Sequence, residues 1–124
     1  MSKIFVYGSL KKNQSAHEFL TTHQATFLKE AVTTPNYHIY SISWFPGMVV
    51  DELVSGGVHG EVYEVSDECM RQLDRYEGAP SLFRREEVTL ADGDTAIAYL
   101  FNQNFSNRPR IESGVWDGRN GSQS

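Results

Sequence analysis

The chain reads as one α+β domain: a sheet of about six strands curled toward a barrel, with two short helices beside it. Three observations predict this. Short runs of β-branched and aromatic residues recur along the chain, separated by Gly, Pro and Asn. Helical spacing is confined to two stretches, one beginning near Ser15 and one near Ser66. No repeat or linker divides the 124 residues, a length that supports one core but not two.

Composition narrows the function classes. Hydrophobic residues make up 40% and aromatic residues 12% of the chain, which suits a folded globule rather than a disordered tail. The net charge is −5, and Lys11-Lys12 and Arg84-Arg85 are the only basic pairs. That balance argues against nucleic acid as a partner, because phosphate binding needs a basic face. A single cysteine, Cys69, excludes an internal disulfide and fits a reducing compartment. No apolar run approaches the roughly 18–20 residues of a membrane span, and the β-rich start lacks a signal-peptide cleavage pattern. The expectation is a cytoplasmic protein, favoured as a monomer, with neither membrane nor nucleic acid as partner.

In chain order, Ile4-Phe5-Val6-Tyr7 sets four strand-favouring residues in a row with no charge, the pattern of a central strand covered on both faces. Gly8 ends it. Without a Cβ it can take a positive φ and turn the N–H groups of Ser9 and Leu10 toward one point. Ser15-Ala16-His17-Glu18 then has the form of a capping box, Ser15 at N-cap and Glu18 at N3. It opens a helix from about Ala16 to Thr22, with Ala16, Phe19 and Leu20 on the apolar side. Strand, amide-rich turn and helix start together suit an anion-holding site; an ordinary strand-to-helix connection is the alternative.

Ala25 to Thr33 reads as a strand, Pro35-Asn36 as a turn, and Tyr37 to Ile42 as an alternating strand. Trp44-Phe45-Pro46-Gly47 mixes a Pro-Gly turn with an apolar run through Val50, predicting an irregular hairpin or lip. Ser55-Gly56-Gly57 is a turn into Val58 to Val65, the best alternation in the chain, where Gly60 leaves room for a close neighbour. Ser66 caps a helix that carries Asp67 and Glu68 in its first turn and stops at Gly78, with Pro80 beyond. Val88 to Leu90 and Ala96 to Phe101 form two strands joined through Asp92-Gly93-Asp94. Ile111 and Trp116 imply that the C-terminal segment packs onto the domain, which is therefore placed at 1–118. Residues 119–124 are expected to form a disordered tail.

Glu77 is the residue whose position suggests chemistry. It follows Leu73 by four residues and Met70 by seven, so it extends the apolar stripe of its helix. It also stands at the C-terminal end, where the helix dipole disfavours a negative charge. A carboxylate facing inward there has its pKa raised, the condition for a general acid/base near neutral pH. The alternative is that the stripe ends at Tyr76 and Glu77 leans into solvent beside Gly78.

Other candidates carry less. Ser9 lacks the Gly-x-Ser-x-Gly elbow of a nucleophile. The four histidines, His17, His23, His38 and His59, show no i, i+4 pair of the kind that binds zinc. The Gly8 turn lacks the Gly-Lys-Ser/Thr of a phosphate loop. Cys69 reads as core, since Asp67 and Glu68 oppose thiolate formation. Tyr37, Tyr40 and Tyr99 read as barrel-lining core; a Tyr99 that reaches the pocket is the alternative. Arg84-Arg85 reads as a solvated pair; the alternative is that one guanidinium neutralises a substrate carboxylate.

Phe5-Val6-Tyr7-Gly8-Ser9-Leu10 resembles the N-terminal signature of the γ-glutamylcyclotransferase-like superfamily. The continuation Lys11 to His17 is most similar to its γ-glutamylamine cyclotransferase branch. Further matches follow in order: Val62 to Val65, then Leu73-Asp74-Arg75-Tyr76-Glu77-Gly78, then Arg84-Arg85, then Ile111 to Trp116. The resemblance implies a small mixed β-barrel with helices packed at its side. It also implies that Glu77 is the catalytic glutamate and that Tyr7, Gly8, Ser9 and Leu10 bind the substrate. The implied reaction folds a γ-glutamyl compound back on itself, giving 5-oxoproline and a free amine. The turn amides would serve the substrate carboxylate or the developing oxyanion. No metal or cofactor is expected, and γ-glutamylamines are the expected substrates. A cyclotransferase for γ-glutamyl amino acids and a non-catalytic binding member of the fold are the competing readings.

Overall fold

The structure is a computed structural model in which residues 1–50 and 56–118 are described. Ser55 of the expected turn and the expected tail 119–124 lie outside the described residues.

Among the described residues, seven strands form one mixed sheet, one more than the sequence pattern suggests. In chain order the elements are β1 (Ser2–Val6), α1 (Glu18–Thr22), β2 (Thr26–Val32), β3 (Tyr37–Ser41), β4 (Pro46–Val50), β5 (His59–Val65), α2 (Asp67–Glu77), β6 (Phe83–Thr89) and β7 (Thr95–Phe101). The strand order is β2-β5-β1-β7-β4-β3, and β6 pairs with the other edge of β7. No ladder closes the sheet into a full barrel. At one end, however, an isolated bridge between Thr33 and Leu90 links the end of β2 to the end of β6. Hydrogen bonds from Thr34 N to Thr89 O (3.1 Å) and Ala91 N to Val32 O (2.8 Å) flank it.

β1 is central, between β5 and β7, and its uninterrupted apolar run has a simple cause: both faces are covered. Ile4 and Val6 join the side of the sheet that packs on the helices, with Leu20, Met70, Leu73, Tyr99 and Phe101. Phe5 and Tyr7 point the other way, into a barrel interior with Ile39, Met48, Val62, Ala98 and Trp116. Small residues make that interior possible. A Cβ at Gly60 would collide with the ring of Phe5 and the carbonyl of Val6, so β5 approaches β1 only because Gly60 has none.

The C-terminal segment closes the interior. Trp116 is 2% exposed, and Lys11 Nζ donates to its carbonyl at 2.7 Å. Ile111 N donates to Ile39 O and His59 N to Gly114 O, both at 2.9 Å.

Three local expectations are corrected. Ser15 caps nothing: α1 begins at Glu18, with His17 at its N-cap and no side-chain cap. Residues 9–17 instead form successive turns, tied by Ala16 N to Ser9 O and His17 N to Gln14 O, so the capping-box pattern is outvoted by turn bonds. Pro46-Gly47 is not a turn but the start of regular strand β4, antiparallel to β3 and parallel to β7, and the hairpin turns before it, between Ser41 and Pro46. Pro46 takes the first position, where its missing N–H matters least, and a Cβ on Gly47 would lie 2.8 Å from Phe101 Cβ. Finally, β6 starts at Phe83, so Arg84 and Arg85 lie within a strand rather than before it.

Candidate active site

β1 and β4 share one edge of β7, β1 at Ile97 and β4 at Leu100, and they diverge where β1 ends. Tyr7 fills the fork. Its hydroxyl donates to Tyr99 O at 2.6 Å and accepts from Met48 N at 3.0 Å, joining β4 to β7 through a phenol. Beyond it the chain turns, and a cavity of about 180 Å³ opens. Its walls are the β1 end and turn (Phe5 to Leu10), the segment Trp44 to Pro46, the last turn of α2 (Tyr76, Glu77), and Leu82, Phe83 and Tyr99. All five residues singled out from the sequence, Tyr7, Gly8, Ser9, Leu10 and Glu77, border this one space.

The turn is built with its carbonyls occupied and two amides open. Gly8 O accepts from Lys11 N (3.1 Å) and Ser9 O from Ala16 N (2.8 Å). Leu10 O is 2.9 Å from Nδ1 of His17, which places the proton of that ring on Nδ1. Among the described residues, the N–H groups of Ser9 and Leu10 donate to no internal acceptor. Gly8 achieves this differently from the sequence expectation. Its φ is not positive. It is glycine because a Cβ would stand 2.7 Å from Pro46 Cγ and 2.9 Å from Cδ, so the requirement is close approach of two strands, not a left-handed backbone.

Glu77 arrives from the opposite side. Ser66 Oγ accepts from Cys69 N at 3.0 Å to start α2, and Gly78 at φ 65° ends it. Between these stops the stripe Cys69, Met70 and Leu73 is buried, and Glu77 continues it into the cavity rather than into solvent. No cation or hydrogen-bond donor among the described residues faces its carboxylate. Burial therefore acts unopposed and pushes its pKa up to about 7. Tyr7 registers the same charge: burial first, then the nearby Glu77 carboxylate, drives its hydroxyl far above the usual tyrosine range.

A network that sequence reasoning missed lies behind the same helix turn. Tyr99 Oη donates to Asp74 Oδ1 at 2.7 Å. Arg85 grips both oxygens of that carboxylate, Nε to Oδ1 and Nη2 to Oδ2, each at 2.7 Å. Asp74 is thus paired where Glu77 is not. Burial pushes its pKa up, but the hydrogen bonds from Arg85 and Tyr99 and the Arg85 charge outweigh that and hold it below the ordinary aspartate value. Arg84, the other half of the basic pair, is engaged by Glu86 and Asn102. The signal available in the sequence was slight: Asp74 precedes Glu77 by three residues and so shares its side of the helix.

Cys69 is buried, and burial pushes its thiol pKa up, away from reactivity. Among the described residues no three His, Cys, Asp or Glu side chains gather as metal ligands, and no helix is long and apolar enough to cross a membrane.

A cavity with an unpaired, half-buried carboxylate opposite a turn with open amides is an arrangement suited to acid/base chemistry on a small molecule. The chain belongs to the gamma-glutamyl cyclotransferase, AIG2-like family, whose model matches residues 4–118. It is 32% identical over 114 residues to the gamma-glutamylcyclotransferase family protein YtfP of Escherichia coli strain K12, covering 92% of this chain and 95% of that one. It is 34% identical over 108 residues to gamma-glutamylaminecyclotransferase A of Danio rerio, covering 80% of this chain and 67% of the relative. Among solved structures, an AIG2-like protein from Mus musculus superposes with a TM-score of 0.77 at 26% identity, over 90% of this chain and 86% of that chain.

Proposed function

We propose that this protein is a γ-glutamylcyclotransferase whose substrates are γ-glutamylamines, with Glu77 as its single general acid/base. The observation that carries the reading is convergence: the open amides of Ser9 and Leu10 and the raised carboxylate of Glu77 border one cavity, although they are far apart in the chain.

The chemistry suits so small a set of groups. In a γ-glutamyl amide the α-nitrogen and the γ-carbonyl belong to one molecule, so the protein mainly holds a reactive conformer. The α-nitrogen bonds to the γ-carbonyl carbon, and the bond from that carbon to the leaving nitrogen breaks. Two protons pass from the first nitrogen to the second, leaving 5-oxoproline and an ammonium ion. A carboxylate with a pKa near 7 can take and return each proton in turn. The turn amides supply donors for the substrate carboxylate or for the oxyanion that develops on the γ-carbonyl. Tyr7 serves by holding the fork between strands, since both hydrogen bonds of its hydroxyl are spent inside the fold.

The preference for γ-glutamylamines rests on the likeness to the Danio rerio protein of that name and on the Lys11 to His17 segment. Release of 5-oxoproline from a panel of γ-glutamyl compounds tests it. Turnover of γ-glutamyl amides in preference to γ-glutamyl amino acids is expected. Binding without release from any of them would replace the enzyme with a binding module of the same fold.

A further inference from the structure

We infer that the amine half of the substrate is an uncharged, apolar group, aromatic in the best case, seated on a lip formed by Trp44, Phe45 and Leu82. This rests on the γ-glutamyl reading of the cavity. At about 180 Å³ the cavity is small beside the roughly 300–1,000 Å³ of pockets that enclose a drug-sized ligand. It has room for the reacting end of a substrate, and the rest must lie across the mouth.

The mouth is apolar. Trp44 is 63% exposed, and Tyr76 and Leu82 are also on the surface. Trp44 and Phe45 meet edge to face at 5.0 Å between ring centres, and Phe45 lies 6.0 Å from Phe83, which is buried. A row of rings therefore runs from solvent into the cavity wall. Leu82 belongs to the same lip: its N donates to Gly78 O at 2.9 Å, which places it directly over the helix stop that follows Glu77. A single indole exposed to this degree on a surface needs no explanation, but one that continues inward as a lined wall does.

Charge sharpens the inference. Among the described lining residues, Glu77 alone carries a formal charge. The neighbouring guanidiniums are committed, Arg85 to Asp74 and Arg84 to Glu86. A γ-glutamyl amino acid would bring a second carboxylate to a lip whose described lining residues offer it no cation, a poor trade for its hydration. A leaving group with its own ammonium would add a second cation to the α-ammonium that every γ-glutamyl substrate already brings to Glu77, further favouring the ionised carboxylate. An apolar amine escapes both penalties and gains the ring contacts.

The test compares 5-oxoproline release from three sets of γ-glutamyl compounds, for wild type and for Trp44→Ala. The sets are alkyl and arylalkyl amides (methyl, butyl, phenethyl), an amide with a terminal ammonium, and γ-glutamyl-alanine. The expected wild-type result is a kcat/KM for the phenethyl amide about 10- to 100-fold above that for the methyl amide, the range for seating one ring in an apolar site. The charged compounds should fall below the methyl amide. In Trp44→Ala, whose exposed side chain can be removed without opening the core, the phenethyl-to-methyl ratio should drop several-fold, chiefly through KM. Charged compounds turned over as well as the phenethyl amide would overturn the inference and leave the γ-glutamyl reading standing. An unchanged ratio in a folded Trp44→Ala variant would overturn the role of the lip. Absence of 5-oxoproline from every compound would remove the cyclotransferase reading itself, and this inference with it.

Discussion

Asp74 and Glu77 lie one helical turn apart on α2, and their surroundings drive them in opposite directions. Asp74 accepts two hydrogen bonds from Arg85 and one from Tyr99, and its pKa is lowered. Glu77 faces the cavity with no partner, and its pKa is pushed up to about 7. The helix is common to both, so its dipole cannot explain the difference; if anything it raises both carboxylates near the C-terminus. What separates them is what the sheet offers. β6 and β7 present Arg85 and Tyr99 to Asp74, while aromatic residues and Pro46 stand around Glu77. One carboxylate is suited to holding the helix turn in place, the other to moving protons.

The largest break in this pairing is Glu77→Gln. Removing a general acid/base lowers turnover by about 10²–10⁴-fold, while the amide keeps the size of the side chain and can still sit in the cavity. The expected variant is folded by circular dichroism, binds a γ-glutamyl ligand, and releases almost no 5-oxoproline. The mirror substitution, Asp74→Asn, should leave far more activity. Equal losses in the two would erase the proposed division of labour.

Gly8→Val attacks the wall across from Glu77. Its Cβ would stand 2.7 Å from Pro46 Cγ, forcing β1 and β4 apart and spoiling the turn that offers the Ser9 and Leu10 amides. Overpacking of this kind costs about 1–3 kcal/mol, and ligand binding should be lost with it. Thermal unfolding and ligand titration read the two effects separately. Normal turnover in Gly8→Val would show that the turn is no part of the site.

How this site was legible in the sequence follows from the range of each interaction. α2 was readable because its signals are local: Ser66 and Gly78 at the ends, and Met70, Leu73 and Glu77 at helical spacing. β1 was readable because burial on both faces leaves an uninterrupted apolar run. Gly8 was singled out for a wrong reason, since the contact that requires glycine comes from Pro46, distant in the chain. The Pro46-Gly47 strand was hidden by residues that ordinarily mark turns, and it forms because Phe101 leaves room only for a glycine there. The Asp74–Arg85–Tyr99 network joins three elements that no periodicity relates. A lip at Trp44 to Gly47 is legible as an apolar run beside a Pro-Gly pair, but its continuity with Phe83 depends on β6 lying alongside.

Asp74→Asn probes the structural partner. It replaces the anion that Arg85 and Tyr99 share with a neutral amide, turning charge-assisted hydrogen bonds into ordinary ones. The side chains of Asp74 and Arg85 are 34% and 39% exposed, so water screens part of the interaction. The expected loss is about 1–2 kcal/mol, seen as a lower denaturation midpoint. Turnover should fall less than tenfold, through a less well held α2 end. A variant as stable as wild type would mean that the network is incidental.

The most discriminating comparison is the pH dependence of stability. Glu77 has a folded pKa above its unfolded value, so the folded state binds its proton more tightly. Its contribution to stability is fully present below the unfolded value, roughly 4.3, and is lost as pH rises through about 7. Asp74 has a folded pKa below its unfolded value, so its contribution is present above roughly 3.9 and is lost as pH falls through the folded one. Wild type should therefore lose stability in two separate windows, one on each side of about pH 4. Chemical denaturation followed from pH 2 to 8 should assign each window to one residue. Glu77→Gln should flatten the slope between about pH 4 and 7, by about 3–4 kcal/mol across it, and leave the acid limb unchanged. Asp74→Asn should flatten the acid limb and leave the upper slope unchanged. If Glu77→Gln instead flattened the acid limb, Glu77 would have to be a paired carboxylate like Asp74, and an acid/base poised near neutral pH would be lost.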